Sequence, residues 1–406
     1  MDTSQRPRLA DPYPQLGTGP VPVEPYISPA YFEREREKIF RRVWLNVGRV
    51  EHIPKPGDYV VKRLAVLGTS VLIVHSDDGR VRAFHNVCQH RGNRLVYEES
   101  GCRKAFTCGF HGWVFDTRGR LRHVTSEEEF FGIDKAQYGL SEFTCDTWND
   151  FIFIHAQPQP AQSLREYLGQ MGEDLRDYQF SNAERVGAWR LTVNCNWKVI
   201  NDAFAEGYHV PWLHTRSIAD LFSTGTGAEA KCQLAHARLH GYHHGASAPA
   251  NPLHTPKPAV ALAFRFAAAF GVDIEAMMQY QPPGVNPGCM ENWGFDFNTI
   301  FPNFAISFSR DSYVTHSFWP EAVDRTHWEI NLYAPPAANL AVKVLQTYNN
   351  VMVRDLLQED ASTIEGTQQG LASGGIRHIT FSDQEIACRH QFEVVNALVN
   401  DKELTT

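Results

Sequence analysis

"NVCQHRGNRLVYEESGCRKAFTCGFHGWVF", residues 86–115, holds three cysteines and two histidines. Cys88-x-His90 is followed, 17 residues later, by Cys108-x-x-His111. Thiolate is a soft ligand and imidazole a borderline one, so the two pairs can close on metal in two ways. One is a Cys2His2 zinc site. The other is a [2Fe–2S] cluster with both cysteines on one iron and both histidines on the other. The order along the chain separates them. A zinc finger presents its cysteines first and its histidines second, whereas here each pair mixes the two types. Two equivalent loops can then each offer one Cys to an inner iron and one His to an outer iron. Gly92, Gly109 and Gly112 beside the ligands allow tight turns.

The surroundings of this stretch read as β structure. From about residue 46 short runs such as "DYVVKRLA", "TSVLIVHS", "RVRAFHNV", "AFTCGF" and "WVFDTRGRL" are punctuated by "KPGD", "DDGR" and "TRGR". They predict a small all-β domain over 46–158, ending in the Pro/Gln-rich "DFIFIHAQPQPAQ". Residues 1–27 read as an extended arm. A helix is expected from Ser28-Pro29, with Ser28 as N-cap and Pro29 in the first position, running through "AYFEREREKIFRRVW" with its interleaved charges toward solvent. After Ser163 helical patterns return in "SLREYLGQMGEDLRDY" and "NWKVINDAFAEGYHVPWLH". A Gly/Ala/His/Pro-rich loop is expected over about 223–260. Strands follow in "TIFPNFAISFSR", "YVTHSFWPE" and "THWEINLYA", then two C-terminal helical stretches. The expected class is α+β, with 1–45 and 159–406 forming one domain into which the β domain is inserted.

Bulk properties exclude several classes. The chain has 406 residues, 43% apolar and 21% charged, with a net charge of −8. That balance leaves no basic footprint for nucleic acid and no Lys/Arg run for an anionic membrane. The apolar stretch "PAVALAFRFAAAFGV", 258–272, is split by Arg265 and falls short of a bilayer span. The polar, Pro-rich N-terminus has no signal-peptide core, so a cytoplasmic protein is expected. The eight cysteines, at 88, 102, 108, 145, 195, 232, 289 and 388, read as thiols rather than a disulfide framework.

A cluster of that kind passes single electrons and makes no bond, so chemistry needs a second centre. His209 and His214 are five residues apart. On an ideal helix they diverge by roughly 140°. Pro211 between them predicts a loosened helix that brings the rings to one side, with Glu206 sharing the face of His209. An oxygen-activating ferrous site also needs one carboxylate and open positions. Asp360 in "RDLLQEDASTIEGTQ" is chosen, with Asp355, Glu359 and Glu365 as competitors.

At "CQHRG" and "CGFHGW" the chain resembles the Rieske iron–sulfur domain. Asn93 and Gly109-Phe110 stand where respiratory Rieske proteins carry a disulfide, so the likeness is to the oxygenase and ferredoxin branch. The acid–Tyr-His–His pattern of Glu206, Tyr208-His209 and His214, the late Glu359-Asp360, and "IFPNFAIS" extend the likeness over nearly the whole chain. It resembles the α subunit of a Rieske non-haem iron oxygenase, the aromatic ring-hydroxylating dioxygenase family. That resemblance implies a helix-grip (START-like) catalytic domain with an antiparallel sheet. It implies a [2Fe–2S] cluster on Cys88, His90, Cys108 and His111, and Fe(II) on His209, His214 and Asp360. O2 is the implied co-substrate. NAD(P)H serves only through a separate reductase, with or without a ferredoxin. It also implies a homotrimer in which Glu206 joins His209 to His111 of the partner subunit. Naphthalene-type members carry Asp at this bridge and Asn at the position of Asp202. Glu at the bridge is similar to carnitine-, glycine betaine- and stachydrine-oxidising members. Hydroxylation of an aromatic or apolar substrate is the first reading, and monooxygenation with N- or O-dealkylation the alternative.

Other signals are weaker. His236, His240, His243 and His244 in "HARLHGYHHG" read as a solvated or pocket-lining loop rather than a metal site, because Gly241 and Gly245 oppose a helix. "STGTGAEA" lacks a third glycine and a strand feeding a helix, so no bound dinucleotide is expected. Trp197, Trp212, Phe222 and "FRFAAAFGVDIEAMMQYQ" suit core packing, an apolar pocket wall or a cage for a quaternary ammonium. Two rival classes stand beside the oxygenase: a pure electron-transfer Rieske protein, and a zinc-stabilised START-like carrier of a hydrophobe.

Overall fold

The computed structural model describes residues 8–225 and 227–404. The chain divides into two compact units, Arg36–Tyr167 and the combination of Met1–Glu35 with Leu168–Thr406. The N-cap expectation holds at Ser28, whose Oγ accepts from the Tyr31 N–H at 3.2 Å as α1 (Pro29–Glu35) begins. α1 gives way to a π turn at Arg36–Phe40, and the chain enters a strand at Leu45, so the helix is shorter than its charge pattern predicts.

Unit 36–167 is built from ten strands: β1 (Leu45–Arg49), β2 (Asp58–Leu64), β3 (Thr69–His75), β4 (Val81–His85), β5 (Ser100–Cys102), β6 (Ala105–Thr107), β7 (Val114–Asp116), β8 (Leu121–His123), β9 (Glu142–Trp148) and β10 (Phe151–His155). Seven of them form one antiparallel sheet in the order β1-β10-β9-β4-β3-β2-β5. The other three, β6-β7-β8, form a small sheet of their own. Leu72, Val74 and Phe84 of the large sheet share a core with Phe106, Phe115 and Leu121 of the small one. The two Cys/His segments follow β4 and β6, one from each sheet.

The second unit centres on seven antiparallel strands: β11 (Glu184–Val193), β12 (Ala235–His240), β13 (His243–Pro249), β14 (Trp293–Ile300), β15 (Phe304–Phe308), β16 (Tyr313–Ala322) and β17 (Arg325–Ala334), in the order β11-β17-β16-β15-β14-β13-β12. Besides α1, its helices include α2 (Leu164–Asp174, beginning just before the unit), α3 (Trp197–Ala203), α4 (Val210–Leu213), α5 (Pro258–Ala269), α6 (Ile274–Gln279), α7 (Leu340–Ala372) and α8 (Ile386–Val399). Phe297, Phe318, Trp328 and Ile330 of the sheet pack in one core with Leu357, Ile364 and Leu371 of α7. Those α7 residues recur every seven positions, which keeps one stripe of a long helix facing the sheet.

Three expectations are corrected. The predicted loop over 223–260 contains β12 and β13, because His243–Pro249 pairs along β14 and is buried there. Small residues suit that crowded position: a Cβ at Gly245 would lie 2.5 Å from Asn298 Oδ1 and 2.7 Å from the Phe297 carbonyl. His243 and His244 are accordingly buried in the sheet, not in a solvated loop. The N-terminal arm is docked rather than extended: Val21, Val23 and Tyr26 join the main core, and Val21–Pro22 pairs with His378–Ile379. Residues 1–7 of that arm, and Thr226 of the Gly-x-Gly stretch, lie outside the described residues.

The charged face of α1 is not all solvated either. Glu35 is fully buried, accepts from Trp197 Nε1 at 2.9 Å and pairs with Lys198 Nζ at 2.5 Å. Burial pushes the Glu35 carboxyl up and the Lys198 ammonium down, and each opposes the shift of the other. Lys198→Met leaves an uncompensated buried acid and is expected to cost about 3–5 kcal/mol in urea unfolding. Adding Glu35→Leu to it should recover most of that loss; additive losses in the double variant would show that the pair is not coupled.

Candidate metal centres

The two Cys/His loops are equivalent. The Cys88 N–H donates to the Asn93 carbonyl at 2.8 Å and the Gly92 N–H to the Cys88 carbonyl at 3.0 Å. The Cys108 N–H donates to the Trp113 carbonyl at 2.8 Å and the Gly112 N–H to the Cys108 carbonyl at 3.0 Å. Gly92 (φ +75°) and Gly112 (φ +72°) occupy the left-handed region that closes each turn. The His sits two residues after Cys in one loop and three in the other, yet the rings of His90 and His111 meet with centroids 4.6 Å apart. His90 stacks on Trp113 at 4.8 Å, and its buried Nδ1 has no hydrogen-bond partner.

Both sulfurs are buried and face each other. Burial raises the Cys88 thiol to about 11 against the pull of the His90 and Arg91 N–H groups. At Cys108 burial also opposes ionisation, but the N–H groups of Phe110 and His111, together with Cys88 and Asn93, outweigh it and lower the pKa. Backbone donors aimed at both sulfurs, with two imidazoles adjacent, suit a thiolate-ligated cluster. Cys102 is exposed on β5 and takes no part.

The second centre is assembled from three segments. α3 ends at Ala203 and the chain is irregular from Phe204 to His209 before α4 begins. The break therefore lies upstream of Pro211, which occupies the first turn of α4, where its missing N–H costs nothing. Glu206 and His209 meet across this loop and not along a helix face. The Glu206 carboxylate accepts from the N–H groups of Tyr208 and His209, the latter at 3.1 Å, and contacts His209 Nδ1. Gly207 is required here, since a Cβ would lie 2.9 Å from Cys232 Sγ.

His209 Nε2, His214 Nε2 and Asp360 Oδ1 converge, with separations of 3.1, 3.2 and 3.7 Å. Among the described residues they form the group of His, Cys, Asp or Glu side chains able to hold a metal ion. His214 and Asp360 are each 2% exposed, and Asp360 Oδ1 makes no hydrogen bond. Both imidazoles are engaged at the opposite nitrogen, His209 by Glu206 and His214 by Glu359 at 2.9 Å. A carboxylate at Nδ1 keeps the proton there, so the Nε2 lone pair points at the centre. Burial lowers the pKa of His209, but Glu206 and Asp360 outweigh it and raise it. Two imidazoles and one carboxylate on one side of a site fit a ferrous ion with open positions.

The competing carboxylates have other partners. Asp355 pairs with Arg354 at 2.6 Å, and Glu365 accepts from the Asn194 N–H at 2.8 Å. Glu359 supports His214, a role the sequence reading missed. The phase of Leu357, Ile364 and Leu371 on α7 would have separated it from its neighbour, because Asp360 lies on that buried stripe and Glu359 beside it. Asp202 is part-buried, accepting from Tyr26 Oη at 2.8 Å and Gln391 Nε2 at 2.7 Å; desolvation pushes its carboxyl up to about 8.

The ring hydroxylating alpha subunit (catalytic domain) family matches residues 180–401, and the Rieske [2Fe-2S] domain family matches 43–142. The chain belongs to the ring-hydroxylating alpha subunit family. Within this family it is 38% identical over 194 residues to the large oxygenase component of the naphthalene 1,2-dioxygenase system of Pseudomonas aeruginosa, covering 46% of the chain and 42% of that relative. It is 30% identical over 230 residues to the biphenyl dioxygenase subunit alpha of Metapseudomonas furukawaii, covering 53% and 48%. The matched region thus spans about half the length of the curated relatives. The fold follows a quaternary ammonium Rieske monooxygenase over 97% of both chains (TM-score 0.74, 19% identity). It also follows naphthalene 1,2-dioxygenase from Rhodococcus sp. over 95% of both (TM-score 0.74, 20% identity).

The two glycine turns differ in what surrounds them. A Cβ at Gly112 would lie 2.7 Å from Thr125 Oγ1, whereas one at Gly92 would meet nothing within 4 Å. Gly112→Ala is expected to lower iron and acid-labile sulfide per purified chain and bleach the visible spectrum, and Gly92→Ala to do so less. Equal cluster content in both variants would show that crowding at Thr125 does not matter.

Proposed function

We propose that the chain is the terminal oxygenase component of a Rieske non-haem iron system, inserting oxygen from O2 into an aromatic or other apolar organic substrate. The observation that carries this reading is the convergence of His209, His214 and Asp360 in a chain that also contains a Rieske domain. In this reading Cys88, His90, Cys108 and His111 hold the [2Fe–2S] cluster, and His209, His214 and Asp360 hold Fe(II). When bound, the two centres supply single-electron transfer and O2 activation. The protein contributes orientation and shielding. Glu206 and Glu359 hold the proton on Nδ1 of each imidazole. The buried Asp360 carboxylate supplies negative charge where a cation must sit. Phe222, Met352 and Leu356 pack with Val210, Ile218 and Cys232 beside this site, an apolar setting that favours an apolar substrate.

Electrons come from NAD(P)H through a separate reductase, with or without a ferredoxin, because the chain carries no dinucleotide fingerprint. The assembly in this reading is a homotrimer, with Glu206 linking His209 to His111 of the partner subunit. Support comes from large exposed rings beside each: Tyr208 and Trp212 (both 62% exposed) near His209, and Phe110 (56%) against His111. A second reading, monooxygenation with N- or O-dealkylation of a methylated amine, is favoured by Glu rather than Asp at position 206.

Asp360→Ala is expected to leave the visible cluster spectrum intact while abolishing mononuclear iron and product; retained product would mean that another group completes the site. Glu206→Gln should keep both metals yet slow single-turnover product formation by at least tenfold, and an unchanged rate would remove Glu206 from the electron route. Product mass spectrometry under 18O2, over a panel of aromatics and methylated amines, separates the two substrate readings.

A further inference from the structure

The contacts of Glu359 lead away from the candidate iron site. Its Oε2 accepts from His214 Nδ1 and also from the Ser217 hydroxyl. Ser217 sits one turn beyond His214, its N–H donating to the His214 carbonyl at 3.1 Å. The carbonyls of Arg216 and Ser217 in turn accept from Lys257 Nζ, at 2.8 and 2.9 Å. Lys257 immediately precedes α5. The stretch before it is stapled to the same place: the Asn251 N–H donates to the Leu221 carbonyl at 2.7 Å and Asn251 Nδ2 to the Asp220 carbonyl at 3.1 Å. Asp220 lies 3.6 Å from Lys257 Nζ and 3.7 Å from His254 Nδ1.

We propose that Ser217 and Lys257 are positioning residues for His214, tying the helical segment 258–279 to the candidate iron site through Glu359. The inference rests on the reading of His214 as an iron ligand. One lone pair of a carboxylate aimed at His214 fixes the ring only if the carboxylate is itself held, and the Ser217 hydroxyl holds it. Ser217 is placed by a turn whose carbonyls have no helix to continue into. A half-buried carbonyl needs a donor, and Lys257 supplies one to Ser217 while also reaching the exposed carbonyl of Arg216. α5 packs on α7, the helix that carries Glu359 and Asp360. The segment also presents Leu262, Phe270 and Met278 to the exterior.

Outer-sphere partners of metal-bound histidines typically change metal affinity by about 10–100-fold. The test is Co(II) affinity by equilibrium dialysis, on cluster-containing protein whose mononuclear metal has been removed by chelation. Ser217→Ala and Lys257→Met are each expected to weaken Co(II) binding by about tenfold, with Ser217→Thr and Lys257→Arg restoring it. Wild-type affinity in Ser217→Ala and Lys257→Met, or losses that the conservative variants do not restore, overturns the inference. His214→Ala is the control. If it binds Co(II) like wild type, His214 is not a ligand and the reading beneath the inference fails; if it loses Co(II) while Ser217→Ala and Lys257→Met do not, only the inference fails.

Discussion

The site depends on two carboxylates that do not touch the metal position. Glu206 and Glu359 each occupy the Nδ1 side of an imidazole and so determine that both Nε2 lone pairs face Asp360. With the other tautomer at either ring, an N–H would point into the centre and the triad would become a hydrogen-bonded cluster. The constraint reaches far into the fold. Glu206 can act only because α3 stops at Ala203 and the chain loops back past Gly207, and Glu359 only because α7 runs unbroken beneath it.

The helix and the sheet supply the stiffness this needs. α7 runs from Leu340 to Ala372, with Leu357, Ile364 and Leu371 against the sheet core. Asp360 shares that stripe and is thereby carried into the interior without a charged partner of its own other than the two imidazoles. An isolated buried carboxylate is costly, and a divalent cation removes the cost. In the other unit the same economy appears in backbone form. Two turns of matching hydrogen-bond pattern, each closed by a left-handed glycine, aim N–H groups at sulfur, and the histidines meet despite their different offsets from Cys.

Local chemistry was legible in the sequence, and long-range packing was not. Cys88-x-His90 and Cys108-x-x-His111 are short motifs whose donors need little context, and the Ser28 cap follows from one turn of backbone. Position 360 could be chosen over 355 and 365 because it follows Glu359 in a familiar pair, but the task of Glu359 required knowing where His214 would lie. The strands at Ala235–His240 and His243–Pro249 were missed because Gly, Ala and His carry weak β preference. The pairing of His243–Pro249 with Trp293–Ile300, some fifty residues away, overrides it, and Ala235–His240 adds to the edge so formed. Pro211 marked a distortion correctly in kind but not in place, since proline is as well suited to starting a helix as to loosening one.

The central claim is that one chain holds a thiolate–imidazole cluster and a separate ferrous ion. Metal and acid-labile sulfide analysis of the purified chain, combined with electron paramagnetic resonance of the dithionite-reduced sample, tests it most directly. The account predicts a Rieske-type signal and iron in excess of sulfide. Zinc without iron, or iron merely equal to sulfide in a preparation that forms oxygenated product, would contradict it.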